Sequence, residues 1–177
     1  MITYQQAEFD PSRKGVWRNT IHGRHYFLTD RRAERGPLNR LRIVYTFTPS
    51  FDEPLHFEQE DGVRIAAGGP FRTDLGSVPP IACGWIPKDM TLGYFLHDFA
   101  CEYGGLYFRY PGEHEWTFRY VRRWDADGLL GTLAMCDPYV PIGRPRAVAI
   151  VLACRAWGLL RGVGDKDPPP WGGASKG

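Results

Sequence analysis

The stretch GGPFRTDLGSVPPIACGWIPKD (68–89) divides a chain of 177 residues into two parts with different hydrophobic periods. It holds too much Gly and Pro to be regular, which predicts a structured loop. Before it, KGVWRNTI, HYFLTD, LRIVYTFT and LHFEQEDGVRIAA are rich in β-branched and aromatic residues, several alternating with period two. RGPLN, TPSFDEP and AGGP separate them as turns. After it the period becomes helical. DMTLGYFLHDFACEYGG has Asp89 placed to cap a helix and Gly104–Gly105 placed to end it. From Trp116 to about Cys136, Ala126, Leu129, Leu130, Leu133 and Ala134 recur at helical spacing, although Gly128 and Gly131 are weak helix formers. A third helix is expected over RPRAVAIVLACRAWGLLRG, opened by Pro145.

These periods predict an α+β fold, an N-terminal antiparallel β region packed on about three C-terminal helices. Residues 1–163 are expected to form one domain: 1–75 β-rich, 76–88 the loop, 89–163 helical. The tail GDKDPPPWGGASKG (164–177) has no core-forming pattern and is expected to be flexible. With 43% hydrophobic and 24% charged residues the chain can bury a core, and a net charge of +2 with scattered arginines does not predict nucleic-acid binding. Cys83, Cys101, Cys136 and Cys154 form no C-x-x-C pair, which argues against a zinc ribbon or redox dithiol. MITYQQAEFDPSRKG lacks the apolar stretch of a signal peptide, which points to a reducing cytoplasm and free thiols. The longest apolar run, AVAIVLACRAWGLL, contains Arg155 and is too short to span a bilayer. It predicts a buried helix, with a membrane-surface helix flanked by Arg144, Arg146 and Arg161 as the alternative.

Inside GYFLHDFACEYGG, His97 and Asp98 interrupt a pattern that asks for core. A buried ionisable group needs partners, a metal or a solvent face, because burying it alone costs several kcal/mol or neutralises it. Glu102 lies four residues after Asp98 on the same helix face, where two carboxylates repel unless a cation sits between them. On the second expected helix Asp127 precedes Leu130 by three and Ala134 by seven, so it points to the apolar face. Antiparallel packing of the two helices brings Asp127 near His97. The carboxylate would then fix the imidazole tautomer and leave the other nitrogen to take a proton from water. Asp98 would be left to bind calcium, with carbonyls from CGWIPKD. The structural alternative pairs His97 with a carbonyl, Asp98 with an arginine, and Asp127 with Arg123. Asp74 and Ser77 are expected to pin a turn, and Ser77 lacks a nucleophile elbow. His114 is expected to be a surface histidine or an extra ligand.

FRTDLGSVPP, FLHDFACEYGG, RRWDADGLL and a last apolar helix, in that order, resemble the phage- and prophage-encoded family known as domain of unknown function 1353. The positions matching its motifs are Thr73, Asp74, Ser77, Pro79, His97, Asp98, Arg123 and Asp127. Pro80 and Cys101 depart from the pattern. The resemblance implies a phage setting, in the host cytoplasm or the virion, and names no reaction. IPKDMTLGYFLHDFACEY followed by RRWDADGLL is also similar to the catalytic helices of secreted calcium-dependent phospholipases. That similarity implies His97 as general base, Asp98 as calcium ligand and Asp127 as orienting carboxylate, though the Gly-rich calcium loop and disulfides of those enzymes are missing here. A pattern of His56, His97, Asp98 and Asp127 also resembles metal-dependent phosphohydrolases, but His56 lies among expected strands.

Two functions follow as expectations. One is a metal-assisted ester hydrolase with lipid among its partners. The other is a non-enzymatic tail, head or assembly protein that contacts other phage proteins and uses the same cluster for structure. Neither is transmembrane.

Overall fold

The computed structural model describes residues 4–20, 28–35, 41–48, 54–73, 92–161, 166–168, 171 and 175–176. Its order is β1 (Gly15–Arg18), β2 (Leu28–Arg35), β3 (Leu41–Phe47), β4 (His56–Gln59), β5 (Arg64–Ala66), β6 (Phe71–Thr73), α1 (Gly93–Tyr103), β7 (Gly105–Arg109), β8 (Thr117–Tyr120), α2 (Arg123–Met135), α3 (Arg144–Arg161) and β9 (Ser175–Lys176). The fold is α+β, an antiparallel β region followed by three helices. One sheet has the order β1-β4-β5-β7-β8-β9, antiparallel except for the parallel pair β8–β9. A second sheet, β2-β3-β6, is antiparallel throughout.

Four expectations change. LHFEQEDGVRIAA is a hairpin instead of one strand: β4 turns through Asp61–Gly62 into β5. Gly62 adopts φ 84°, the left-handed region where Asp-Gly turns sit at little steric cost. The second helix begins at Arg123, because Thr117–Tyr120 is a strand. The region 89–163 is accordingly not helical throughout, since the β7–β8 hairpin lies between α1 and α2 and extends the larger sheet. The tail is tied down in part: Trp171 is buried, its ring centroid 4.7 Å from that of Tyr107, and Ser175 pairs with Thr117. The first helix starts at Gly93 with Leu92 at its N-cap, and it ends as expected at Gly104 in the left-handed conformation, φ 71°. Asp89 lies outside the described residues.

Among the described residues the apolar side chains form two cores. The larger lies between the sheets and one face of α1, where Phe95 stacks on Phe47 at 4.7 Å and Phe99 meets Phe71 edge-on at 5.1 Å. The smaller, Tyr94, Leu130, Ala134, Ile142, Ile150 and Cys154, fills the space among the helices. Helix α1 faces both, with Leu92, Leu96 and Phe99 on one side and Tyr94 and His97 toward the other. Gly131 permits the close approach of α2 to α3: a Cβ there would lie 2.6 Å from Val151 Cγ2.

Candidate functional site

His97 and Asp127 meet where α1 crosses α2. His97 Nε2 lies 2.8 Å from Asp127 Oδ1, and the two side chains are 8% and 1% exposed. Arg123 Nε, one turn before Asp127 on α2, donates to the same oxygen at 3.1 Å. Asp127 Oδ2 is buried with no hydrogen-bond partner among the described residues. One carboxylate is thus held between two cationic groups through one oxygen.

The thiols of Cys101 and Cys154 complete the surroundings. Cys101 Sγ lies 3.7 Å from His97 Nδ1 and 3.6 Å from Nε2. A sulfur nearly equidistant from both ring nitrogens lies out of line with the lone pair of either. Cys101 is therefore not placed to hand its proton along an imidazole hydrogen bond. Cys154 comes from α3, and one ligand atom each from His97, Asp127 and Cys154 lie within 4.8 Å of one another. Nitrogen, carboxylate and thiolate donors form a set suited to a transition-metal ion such as zinc. The described cysteines, Cys101, Cys136 and Cys154, are free thiols.

Burial pushes the His97 imidazolium toward losing its proton. The Cys101 sulfur, the hydrogen bond to Asp127 and the Cys154 sulfur act in the opposite sense and prevail, so its pKa stands well above 6.5. Burial raises the Cys154 thiol, with Asp127 and Cys101 adding to the rise and His97 and Arg123 opposing it.

The other nominated residues separate from this pair. Asp98 Oδ2 accepts from Thr73 Oγ1 at 2.5 Å, which fastens α1 to β6, and its Oδ1 lies 4.0 Å from His97 Nδ1. Glu102 pairs with Lys166 Nζ at 2.7 Å. The cation expected between the two carboxylates is, for Glu102, a lysine from the tail. Calcium takes six to eight oxygen ligands. Asp98 supplies one carboxylate toward that set, and the loop nominated for the rest lies outside the described residues. Asp74 and Ser77 also lie outside them. His114 is exposed, between Glu113 and Glu115. His56 is buried in β4, Nδ1 at 2.9 Å from the Pro54 carbonyl and its ring edge-on to Trp116, a structural histidine. Burial lowers its pKa, the Pro54 hydrogen bond opposing.

Sequence reasoning missed Cys154 as a neighbour of the pair. Ala147, Ile150 and Cys154 are buried on one face of α3 at i, i+3 and i+7, so its inward direction was readable. What it would face was not. No family model, curated protein or solved structure matches the chain.

Proposed function

We propose that this chain is a small phage-encoded hydrolase that cleaves an ester, with His97 as proton acceptor and Asp127 as the carboxylate that orients it. The observation that carries this reading is the 2.8 Å contact between His97 Nε2 and Asp127 Oδ1. A proton held there by the carboxylate leaves Nδ1 as the basic nitrogen, directed to the side of Asp98. In the cationic state both nitrogens carry protons and the ring cannot accept one. The neutral ring takes a proton from water at Nδ1, and the imidazolium so formed is stabilised by Asp127. Arg123 holds Asp127 in place from its own helix. Because the His97 pKa is raised, the neutral base accumulates only on the alkaline side, and the rate is expected to rise with pH above 6.5. A phage setting is supported by the order of the four motifs. A calcium ion, in this reading, would be held by Asp98, and no proton step depends on it.

The test uses chromogenic carboxylic esters and phospholipid vesicles. His97→Ala is expected to lower kcat by about 10²- to 10⁴-fold, the usual contribution of a positioned general base. Its fold would be checked by circular dichroism. An unchanged rate in a folded His97→Ala protein overturns the reading. Calcium is tested separately by melting: it should raise the Tm of the parent chain and leave that of Asp98→Asn unmoved.

A second reading, a non-enzymatic virion component, is favoured by one observation. Arg123, one turn away on the same helix, pairs with the same Asp127 oxygen, as expected of a cluster that serves structure alone. It predicts that His97→Ala lowers Tm, that no ester is turned over, and that the chain purifies with virions.

A further inference from the structure

Helix α3 buries one face and leaves the opposite one apolar. Ala147, Ile150 and Cys154 point inward. Val148, Leu152 and Leu159 point outward, 50%, 59% and 90% exposed. At about 100° per residue these three fall within about 40° of one another, and exposed Pro145, Ala149 and Ala156 widen the stripe. Trp124 of α2, 62% exposed, lies beside it, with the Arg155 guanidinium 3.4 Å from its ring centroid. A helix packed on a water-soluble body normally turns charge outward, so a continuous apolar stripe marks a surface that meets something else.

The charges indicate what that is. Within Arg144–Arg161 the helix carries Arg144, Arg146, Arg155 and Arg161 and no acidic residue. Exposed Arg144 and Arg146 lie on either side of the stripe by helical angle. An apolar stripe edged by arginine, with an interfacial tryptophan beside it, is the pattern of a helix lying in the headgroup region of an anionic membrane. The nearest acidic residue beside Trp124 in sequence, Asp125, faces Arg122 at 4.0 Å. A second copy of the chain fits less well, because a two-fold contact would set the arginine edges of one copy against those of the other. No helix among the described residues is long and apolar enough to cross a membrane, so the contact is one of lying on the surface.

We propose that the outer face of α3 seats this protein on the surface of an anionic phospholipid bilayer. Val148, Leu152 and Leu159 enter the acyl boundary, and Arg144 and Arg146 meet lipid phosphates. This stands apart from the hydrolase reading, since adsorption requires no turnover.

The test is co-flotation of the purified chain with vesicles of equal parts phosphatidylglycerol and phosphatidylcholine, against phosphatidylcholine alone. The chain is expected to float with the anionic vesicles, and added salt should weaken it. The double variant Val148→Glu, Leu152→Glu changes only solvent-facing positions and should lower partitioning by about tenfold or more. Arg144→Gln with Arg146→Gln should lower it by about fivefold for each arginine removed. His97→Ala should float like the parent, so a failed hydrolysis assay leaves this result intact. No flotation, or flotation indifferent to the glutamates, overturns the proposal. So does a lipid-free dimer, seen by sedimentation velocity, that the glutamates dissociate, because a second copy would then own the face.

Discussion

Asp127 and Asp137 are both buried acids, and their hydrogen bonds give them different work. Asp137, 2% exposed, accepts from the backbone N–H of Leu92 at 2.7 Å and from those of Tyr139 and Val140 at 2.9 Å. It ties the start of α1 to the turn leading into α3. Asp137→Ala is expected to cost about 3 kcal/mol in urea unfolding, because it leaves buried donors without an acceptor. Asp127 instead joins side chains from two helices, and its inward direction was legible from its spacing to Leu130 and Ala134. Its sharing with Arg123 was offered by the sequence as an alternative to the His97 contact, and the structure makes both. His97 adds a pH dependence whose sign is fixed by its raised pKa. The stability it contributes is complete below about pH 6.5, the unfolded value, and is lost as pH rises through the higher folded value. Urea unfolding at neutral and alkaline pH should show a loss in the parent chain that is smaller in His97→Gln.

At the scale of elements, α1, α2 and α3 were readable because each repeats its apolar positions with a helical period, and α3 was placed closely. The β7–β8 hairpin was not. GLYFR and TFRY are short, and Thr117–Tyr120 adjoins the charged start of α2, so the helical period that begins at Ala126 is easily carried back to Trp116. The Asp61–Gly62 turn carried a signal that a longer run of strand-forming residues concealed. Gly131 was read as a weakness in α2, yet it is what brings α2 against α3. Gly131→Val is expected to destabilise by about 1–3 kcal/mol through its collision with Val151. Val151→Ala should recover part of that loss, and a double-mutant cycle by urea unfolding measures the coupling.

Across the whole molecule, a large aromatic core fixes α1 to the sheets, and a smaller core among the helices holds the polar cluster. The tail was legible only as lacking periodicity, and one residue in it, Trp171, contradicts that reading by packing on Tyr107 and Trp116. Trp171→Ala is expected to lower stability by about 3–5 kcal/mol, read as a shift in urea midpoint. The two cores together set the orientation of one imidazole, on which the proposed chemistry depends. The direct test is ¹⁵N-edited NMR of the His97 ring across pH, assigned by loss of its signals in His97→Gln. Nε2 is expected to keep its proton throughout, held by Asp127, while Nδ1 loses its proton at a pH above 6.5. A ring that titrates at or below 6.5, or that loses the Nε2 proton first, would contradict it.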